Sequence, residues 1–269
     1  MDKGLKVKIT GAGPSGILLA ITLARLNIRI LLYDLLPKET LLIKDKTYAI
    51  THSSRKILER FELWKPLSLY VYGFNSLSIS DTLIGNEAIF SLSDLDADIQ
   101  SCKNIGWVIK HTDLMKVFFD ELSKYKNVSF VHLTNQTLYP SDFDFEFIAD
   151  GANSSYRRLN QVSYFKSSYN QACLTFKVFL RGNIEKRAYE VFRKEGPLAL
   201  LPLGENIYQI IWTSSNTKAK DRLNSSKSFL LDNLASILPS NFKLDQIIGE
   251  VNLFPISLSF NYPDFTFKK

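Results

Sequence analysis

Two cysteines in 269 residues, Cys102 and Cys173, are too few for a disulfide framework or a thiolate metal site, so neither a cross-linked secreted scaffold nor a zinc ribbon fits this chain. No other metal motif is visible. No secretory signal precedes the first apolar strand pattern, and a reducing cytoplasm is the expected compartment. An uncharged apolar run is missing too. The longest candidate, residues 17–36, carries Arg25 and Arg29 near its middle and Asp34 near its end. Central charges cost about 2.5–3.5 kcal/mol each, against about 0.3–0.6 kcal/mol gained per Leu or Ile, so a soluble helix followed by a strand explains this run better than a membrane span. Low-complexity tracts are absent. With 45% hydrophobic and 22% charged residues the whole chain is expected to fold, and its length suits two interwoven domains. The net charge of +6 is spread rather than gathered into one basic run, so it gives no footing for a nucleic-acid role.

What is present is clearest at the start. Leu5, Val7 and Ile9 alternate with Lys6, Lys8 and Thr10, which predicts a strand. Gly11-Ala12-Gly13-Pro14-Ser15-Gly16 follows and opens a helical pattern carrying Ile17, Ala20, Ile21 and Ala24. Asn27 suits the left-handed residue that closes a helix, and residues 28–33 read as a buried parallel strand ending at Asp34. Strand, glycine turn, helix, strand and terminal acid together predict a dinucleotide site. Gly11 makes the tight turn, Gly13 lets the backbone approach a pyrophosphate, and Gly16 lets the helix pack on the strand. The helix N-terminus then faces the diphosphate, and Asp34 meets the ribose hydroxyls.

Further along, Ser53 is a plausible N-cap for a helix bearing Ile57, Leu58 and Phe61, and Thr112 for one bearing Leu114, Val117, Phe118 and Leu122. Phe143, Phe145 and Phe147 alternate with acids in a strand that leads into Asp150-Gly151-Ala152-Asn153-Ser154-Ser155-Tyr156-Arg157. Strand patterns at 172–180, 188–192, 196–203 and 208–212 predict a second sheet. Phe229, Leu230, Leu234, Ile237 and Leu238 read as an amphipathic helix stopped by Pro239.

The GAGPSG turn, Asp34, the string Phe61-Glu62-Leu63-Trp64, residues 77–81 (LSISD) and the Asp-Gly-x-x-Ser-x-x-Arg pattern at 150–157 resemble the ubiquinone-biosynthesis hydroxylases. Those enzymes stand with p-hydroxybenzoate hydroxylase among the single-component FAD monooxygenases. The resemblance implies an α/β fold in which a discontinuous Rossmann-type FAD-binding domain (1–70 and 105–162) is interwoven with a sheet-rich substrate domain (71–104 and 163–269). It implies that FAD is held by Gly11, Ala12, Gly13, Pro14, Ser15, Gly16 and Asp34, and that Asp150 and Gly151 lie near the pyrophosphate. Ser154 and Arg157 brace the turn that follows. Lys46 stands where relatives place a cofactor-reaching Arg, and His111 where they place a polar side chain near the flavin phosphates. A solvated surface charge and a surface-turn histidine are the alternatives for these two. The string Phe192-x-x-x-Gly-Pro-x-Ala-x-Leu-Pro-Leu resembles the ubiquinone branch in particular. It implies a wall beside the aromatic substrate that includes Pro197, Leu198, Leu200 and Pro202; a plain buried strand is the alternative.

The activity implied is hydroxylation of an aromatic ring, such as a prenylated phenol, with NAD(P)H as donor and O2 as oxidant. A flavin-dependent prenyl reductase shares both glycine signatures and is a second reading. A non-catalytic FAD-binding remnant is a third. Peripheral attachment to the inner membrane is compatible with the positive charge. Two departures stand against the resemblance. Residues 131–150 are too few for the three-stranded meander that relatives carry there, and no Gly-Asp pair occurs before Lys269. The third flavin signature is therefore expected to be missing, as in a shortened reading frame or a fragment.

Overall fold

The computed structural model describes residues 4–97, 101–134, 142–162, 164–182, 185–238 and 242–260. Its strands are, in chain order, β1 (Lys6–Thr10), β2 (Arg29–Asp34), β3 (Thr47–Ile50), β4 (Tyr72–Phe74), β5 (Ser76–Asp81), β6 (Asn86–Ser91) and β7 (Gly106–Lys110). There follow β8 (Val128–His132), β9 (Phe145–Ile148), β10 (Phe165–Arg181), β11 (Arg187–Phe192), β12 (Leu198–Pro202), β13 (Ile207–Ser215) and β14 (Lys243–Phe260). The chain divides into two compact units. One comprises Met1–Tyr48, Ser53–Val71 and Ile109–Ser163; the other comprises Ala49–His52, Tyr72–Val108 and Tyr164–Lys269. The divisions fall within β3 and β7, which with β4 form a small sheet of order β3-β7-β4.

In the first unit four parallel strands lie in the order β8-β2-β1-β9. Parallel neighbours need crossover connections, and the helix Pro14–Ala24 carries the chain from β1 to β2. Its Ile17, Ala20, Ile21 and Ala24 share one face and are all buried, as their spacing predicts. Pro14 occupies the first turn, where a missing N–H costs nothing. Asn27, at φ 59°, turns the chain out of the helix. The Asn127 side-chain amide then donates to the carbonyls of Ala24 and Ile28 at 3.0 and 2.7 Å, the first of which also accepts from the Asn27 N–H at 3.0 Å. The helix His111–Leu122 buries Leu114, Val117, Phe118 and Leu122, and also Met115 and Phe119. Thr112 does not cap it: Lys110 holds that position and Thr112 lies in the first turn. Ser53 likewise falls inside a helix that begins at His52.

The second unit is built on a seven-stranded sheet of order β14-β10-β13-β12-β11-β5-β6, antiparallel except where β11 meets β5. Alternation puts Leu174, Phe176, Val178 and Leu180 of β10, Leu198 and Leu200 of β12, and Tyr208, Ile210 and Trp212 of β13 into one apolar core. Ala219, Leu230 and Leu234, from the helices Asn216–Leu223 and Lys227–Ala235, join that core. Ser226 caps the second helix by accepting from the Phe229 N–H at 3.2 Å. Pro239, the expected stop, lies outside the described residues. The first of these helices escapes a reading by apolar periodicity because Ala219 is its single buried residue. β14 escapes it too, since Gly249 and Pro255 interrupt it and its exposure follows no strict alternation.

Beside this core two guanidinium groups share one carboxylate over an indole ring. Arg193 and Arg222 reach Glu195 Oε2 at 2.6 and 2.7 Å, Lys218 reaches Oε1 at 2.8 Å, and the guanidinium carbons sit 5.6 and 4.1 Å from the Trp212 ring centre. Burial alone would raise the Glu195 carboxyl, but hydrogen bonds from Lys218 and Arg222 and the charges of both outweigh it and hold the pKa below its ordinary value. Replacing Glu195 by Gln should leave two largely buried cations without a counter-charge. The expected loss is about 2–3 kcal/mol, seen as a thermal midpoint lower by about 5 °C or more in circular dichroism melts. A depressed carboxylate contributes stability above its unfolded pKa of about 4.3, and this is lost as pH falls through the folded value. The gap between wild type and Glu195→Gln should therefore be full at neutral pH and close below about pH 4.

Candidate functional site

Three sequence signals meet at the C-terminal edge of the parallel sheet. β1, β2 and β9 end there at Thr10, Asp34 and Ile148. β1 lies between the other two, so its end is the switch point at which open α/β sheets leave a crevice. The Gly11 N–H donates to the Tyr33 carbonyl, and the Ala149 N–H to the Thr10 carbonyl, each at 2.7 Å. Gly11 has φ 104°, and a Cβ there would stand 2.3 Å from the Ala149 carbonyl oxygen. A Cβ on Gly16 would stand 1.8 Å from the Gly11 carbonyl oxygen. Both glycines are thus required by the protein's own backbone. Gly13 is not: its φ is −72°, and a Cβ would meet no atom within 4 Å.

The space beside Gly13 is open at the start of the Pro14–Ala24 helix, while Ala12 is fully buried and Ser15 exposed. Pro14 has no N–H, and the first-turn N–H groups of Ser15 and Gly16 have no partner further up the helix. A dipole end, open backbone and no intruding side chain suit a phosphate anion. Asp34 stands half-buried beside this turn. Its Oδ2 accepts from the Ala12 N–H at 2.7 Å and its Oδ1 from the Leu36 N–H at 2.9 Å. A carboxylate has about four acceptor positions, so this one can still receive ribose hydroxyls.

The Asp150-Gly151 turn adjoins the glycine turn, because a Cβ on Gly11 would come within 2.8 Å of the Asp150 nitrogen. Asp150 Oδ2 accepts from the N–H groups of Ser155 and Tyr156 at 2.9 and 3.3 Å. Gly151 supplies φ 85°. Ser154 Oγ accepts from the Arg157 N–H at 3.1 Å, and the Arg157 guanidinium donates back to the Gly151 and Ala152 carbonyls. The Ser and Arg of the pattern therefore hold the turn from both sides.

Lys46 is exposed, and its carbonyl accepts from the His111 N–H at 2.8 Å. His111 is buried, with Nε2 2.7 Å from the Leu41 carbonyl oxygen and Nδ1 2.8 Å from the Tyr48 hydroxyl. A carbonyl only accepts, so Nε2 carries the proton and Nδ1 accepts from Tyr48. Burial lowers the His111 pKa, the Leu41 bond opposes this, and the charges of Lys44 and Lys46 add to the lowering. Both nitrogens of the neutral ring are occupied within the protein, and neither remains for a phosphate.

A second expectation needs correction at β12. Leu198 and Leu200 have no exposure and face the core beneath the two helices, with Pro202 buried on the same alternation. In the period-2 geometry of a strand only the intervening side chains reach the opposite face, and there Ala199 and Leu201 are partly exposed, as is Pro197 at the strand's start. Leu198, Leu200 and Pro202 are core residues rather than a substrate wall. Among the described residues no group of acids, His and Cys could hold a metal, and no helix is long and apolar enough to cross a membrane.

No protein-family model matches the chain. Its curated relatives include the uncharacterized protein slr1300 of Synechocystis, 26% identical over 275 residues covering 96% of this chain and 65% of that one. Ubiquinone hydroxylase UbiM of Neisseria meningitidis is 22% identical over 269 residues, covering 93% of this chain and 58% of UbiM. The chain thus spans less than two thirds of the length of these relatives. Among solved structures, PqsL, a probable FAD-dependent monooxygenase from Pseudomonas aeruginosa, superposes with a TM-score of 0.71 at 14% identity, over 94% of this chain and 74% of PqsL. The fold is therefore the one seen in FAD-dependent aromatic monooxygenases, a mixed α/β architecture with a four-stranded parallel sheet and a larger second sheet. Within that class the sequence resembles the ubiquinone-biosynthesis hydroxylases.

The two kinds of glycine should separate in a stability experiment. Gly16→Ala forces a methyl against backbone, so its thermal midpoint should fall by about 5 °C or more, whereas Gly13→Ala should stay within about 2 °C of wild type. Equal losses from both would mean that the region beside Gly13 is not open.

Proposed function

We propose that the first unit holds the ADP half of FAD and that the chain carries the cofactor-binding portion of an aromatic-ring monooxygenase of the ubiquinone-pathway type. The observation that carries this reading is the open space beside Gly13 at the sheet's switch point, between two glycines whose absent side chains the protein itself requires. The cofactor domain would comprise 1–70 and 105–162, and the substrate domain 71–104 and 163–269. The N–H groups of Ser15 and Gly16 would face the pyrophosphate, Asp34 would accept from the adenosine ribose, and the Asp150-Gly151 turn would close the other side. Exposed Lys46 would add a cation, though without the bidentate fork of an arginine. His111 is left out of this set, since both its nitrogens are committed.

Bound FAD would supply electron transfer and oxygen activation, with NAD(P)H as donor. The protein's part is to fix the nucleotide, orient an aromatic ring and keep water away from it. PqsL, which shares the fold, has been solved with 2-aminobenzoylacetate, and a small aromatic substrate is proposed here by analogy. A prenylated phenol would bring the chain to the membrane periphery, for which the +6 charge is suitable.

Calorimetric titration of FAD and of ADP tests the cofactor assignment. Wild type should bind both. Gly13→Val should abolish binding while the protein remains folded, and Asp34→Ala should weaken it about ten- to a hundredfold through loss of bonds to a charged acceptor. Binding of neither ligand by wild type would overturn the reading. For the chemistry, NADPH oxidation coupled to O2 uptake and to a hydroxylated prenylphenol is expected, whereas oxidation without O2 uptake would point to a reductase.

A further inference from the structure

The seven-stranded sheet has a second face, opposite its two helices, and a carboxylate lies within it. On β11, Val191 belongs to the core beneath the helices and Tyr189 packs against it, so the alternating Glu190 projects to the other side. Its lateral neighbours in the sheet are Ala199 of β12 and Ile79 of β5, and one strand further, in the same row, lies Ile211 of β13. Ala199, Ile79 and Ile211 are partly exposed, and Thr175 of β10 continues the row beyond Ile211, so the carboxylate stands directly between small and apolar neighbours. Thr213 and Cys173, joined Sγ to Oγ1 at 3.3 Å, lie in the next row on this face.

Among the described residues the Glu190 carboxylate makes no hydrogen bond and no ion pair, although it is half-buried. Burial pushes its carboxyl up from the ordinary value. Burial likewise raises the Cys173 thiol, the Thr213 contact opposes this, and the Glu190 charge adds to it, so the two groups sense each other across the face. A carboxylate partly withdrawn from water, with nothing in the protein donating to it, is a cost to the folded chain. It is relieved by a ligand that brings an N–H or O–H. The face as a whole is mixed, with Gln209 of β13 and Lys177 of β10 one row away, but around Glu190 itself apolar side chains flank one acceptor, a composition that small-molecule sites share.

We propose that Glu190 is the acceptor that selects and orients the aromatic substrate, taking a hydrogen bond from a ring hydroxyl or amino group laid against Ala199, Ile79 and Ile211. The proposal rests on the aromatic-substrate reading above and adds the residue that would distinguish a phenol from its ether. Glu190 then acts as a specificity determinant that touches the ligand, and a ring without a donor would leave the carboxylate as costly as before.

The test uses the full chain supplied with FAD, and two probes of almost the same shape, 4-butylphenol and its methyl ether 4-butylanisole, titrated by calorimetry. Wild type should prefer the phenol by about tenfold or more. Glu190→Gln keeps the shape and an acceptor oxygen but removes the charge, and should cut the preference to about threefold or less. Glu190→Leu should abolish it and bind the ether at least as well as wild type does. Circular dichroism confirms that both variants are folded. No preference in wild type, or an undiminished preference in Glu190→Leu, overturns the assignment, and so does wild type that binds neither probe. FAD titrated in the same samples keeps the two readings apart. Loss of FAD binding with the phenol preference intact would sink the monooxygenase reading and leave the Glu190 site standing, and intact FAD binding without the preference would do the reverse.

Discussion

The approach of the Pro14–Ala24 helix to the end of β1 is the constraint from which the first unit's geometry follows. The Gly11 carbonyl lies where a side chain on Gly16 would have to go, and the Ala149 carbonyl lies where a side chain on Gly11 would have to go. Three backbone segments therefore pack at distances that only hydrogen atoms allow. Their closeness sets the start of the helix against the sheet edge, and it brings the Asp150-Gly151 turn, more than a hundred residues away in sequence, alongside the first glycine turn. Asp34 completes the arrangement from the end of β2 by accepting from Ala12. Widening the approach by one methyl group would disturb every member together, because no flexible side chain lies between them to absorb it.

The second unit is governed by a different rule, the two-sidedness of a sheet. Its helix-covered face is apolar through β10, β12 and β13, and that burial fixes the register of all three. Once the register is set, the other face receives whatever lies between, which is where Glu190, Thr213 and Cys173 are found. One strand thus serves two purposes, and adjacent residues have unrelated surroundings. Leu200 is sealed beneath the helices, while Ala199, beside it in the chain, looks the other way.

This difference explains what could be read from the sequence. The glycine turn, the left-handed Asn27, the acid at Asp34 and the Ser154 and Arg157 brace are local devices, and each residue type is there for a reason that acts within a few positions. The parallel strand after Asn27 and the existence of strands at 172–180 and 208–212 were legible on the same grounds. Which face of β12 is closed was not, since the string from Pro197 to Pro202 is apolar throughout and says nothing about what covers it. His111 was read as preceding its helix rather than beginning it, and the neighbours that occupy its ring, Leu41 and Tyr48, come from 70 and 63 residues earlier. The Asn216–Leu223 helix and β14 were missed because packing against neighbours, rather than their own pattern, decides their conformation. Glu190 looked like one acid among many. Its significance depends on having lost part of its water without gaining a protein partner, which only the assembled sheet reveals.

The bond between Asp34 and the Ala12 N–H has a thermodynamic meaning as well as a structural one. The turn is tied to β2 through this carboxylate and through the Tyr33 carbonyl, and it is pressed against β9 on the other side, all before any nucleotide arrives. Such a loop has little conformational entropy left to surrender on association, so nearly all the freedom lost at that end of the site belongs to the ligand. Capture there resembles docking onto a rigid seat rather than the folding of a loop around a guest.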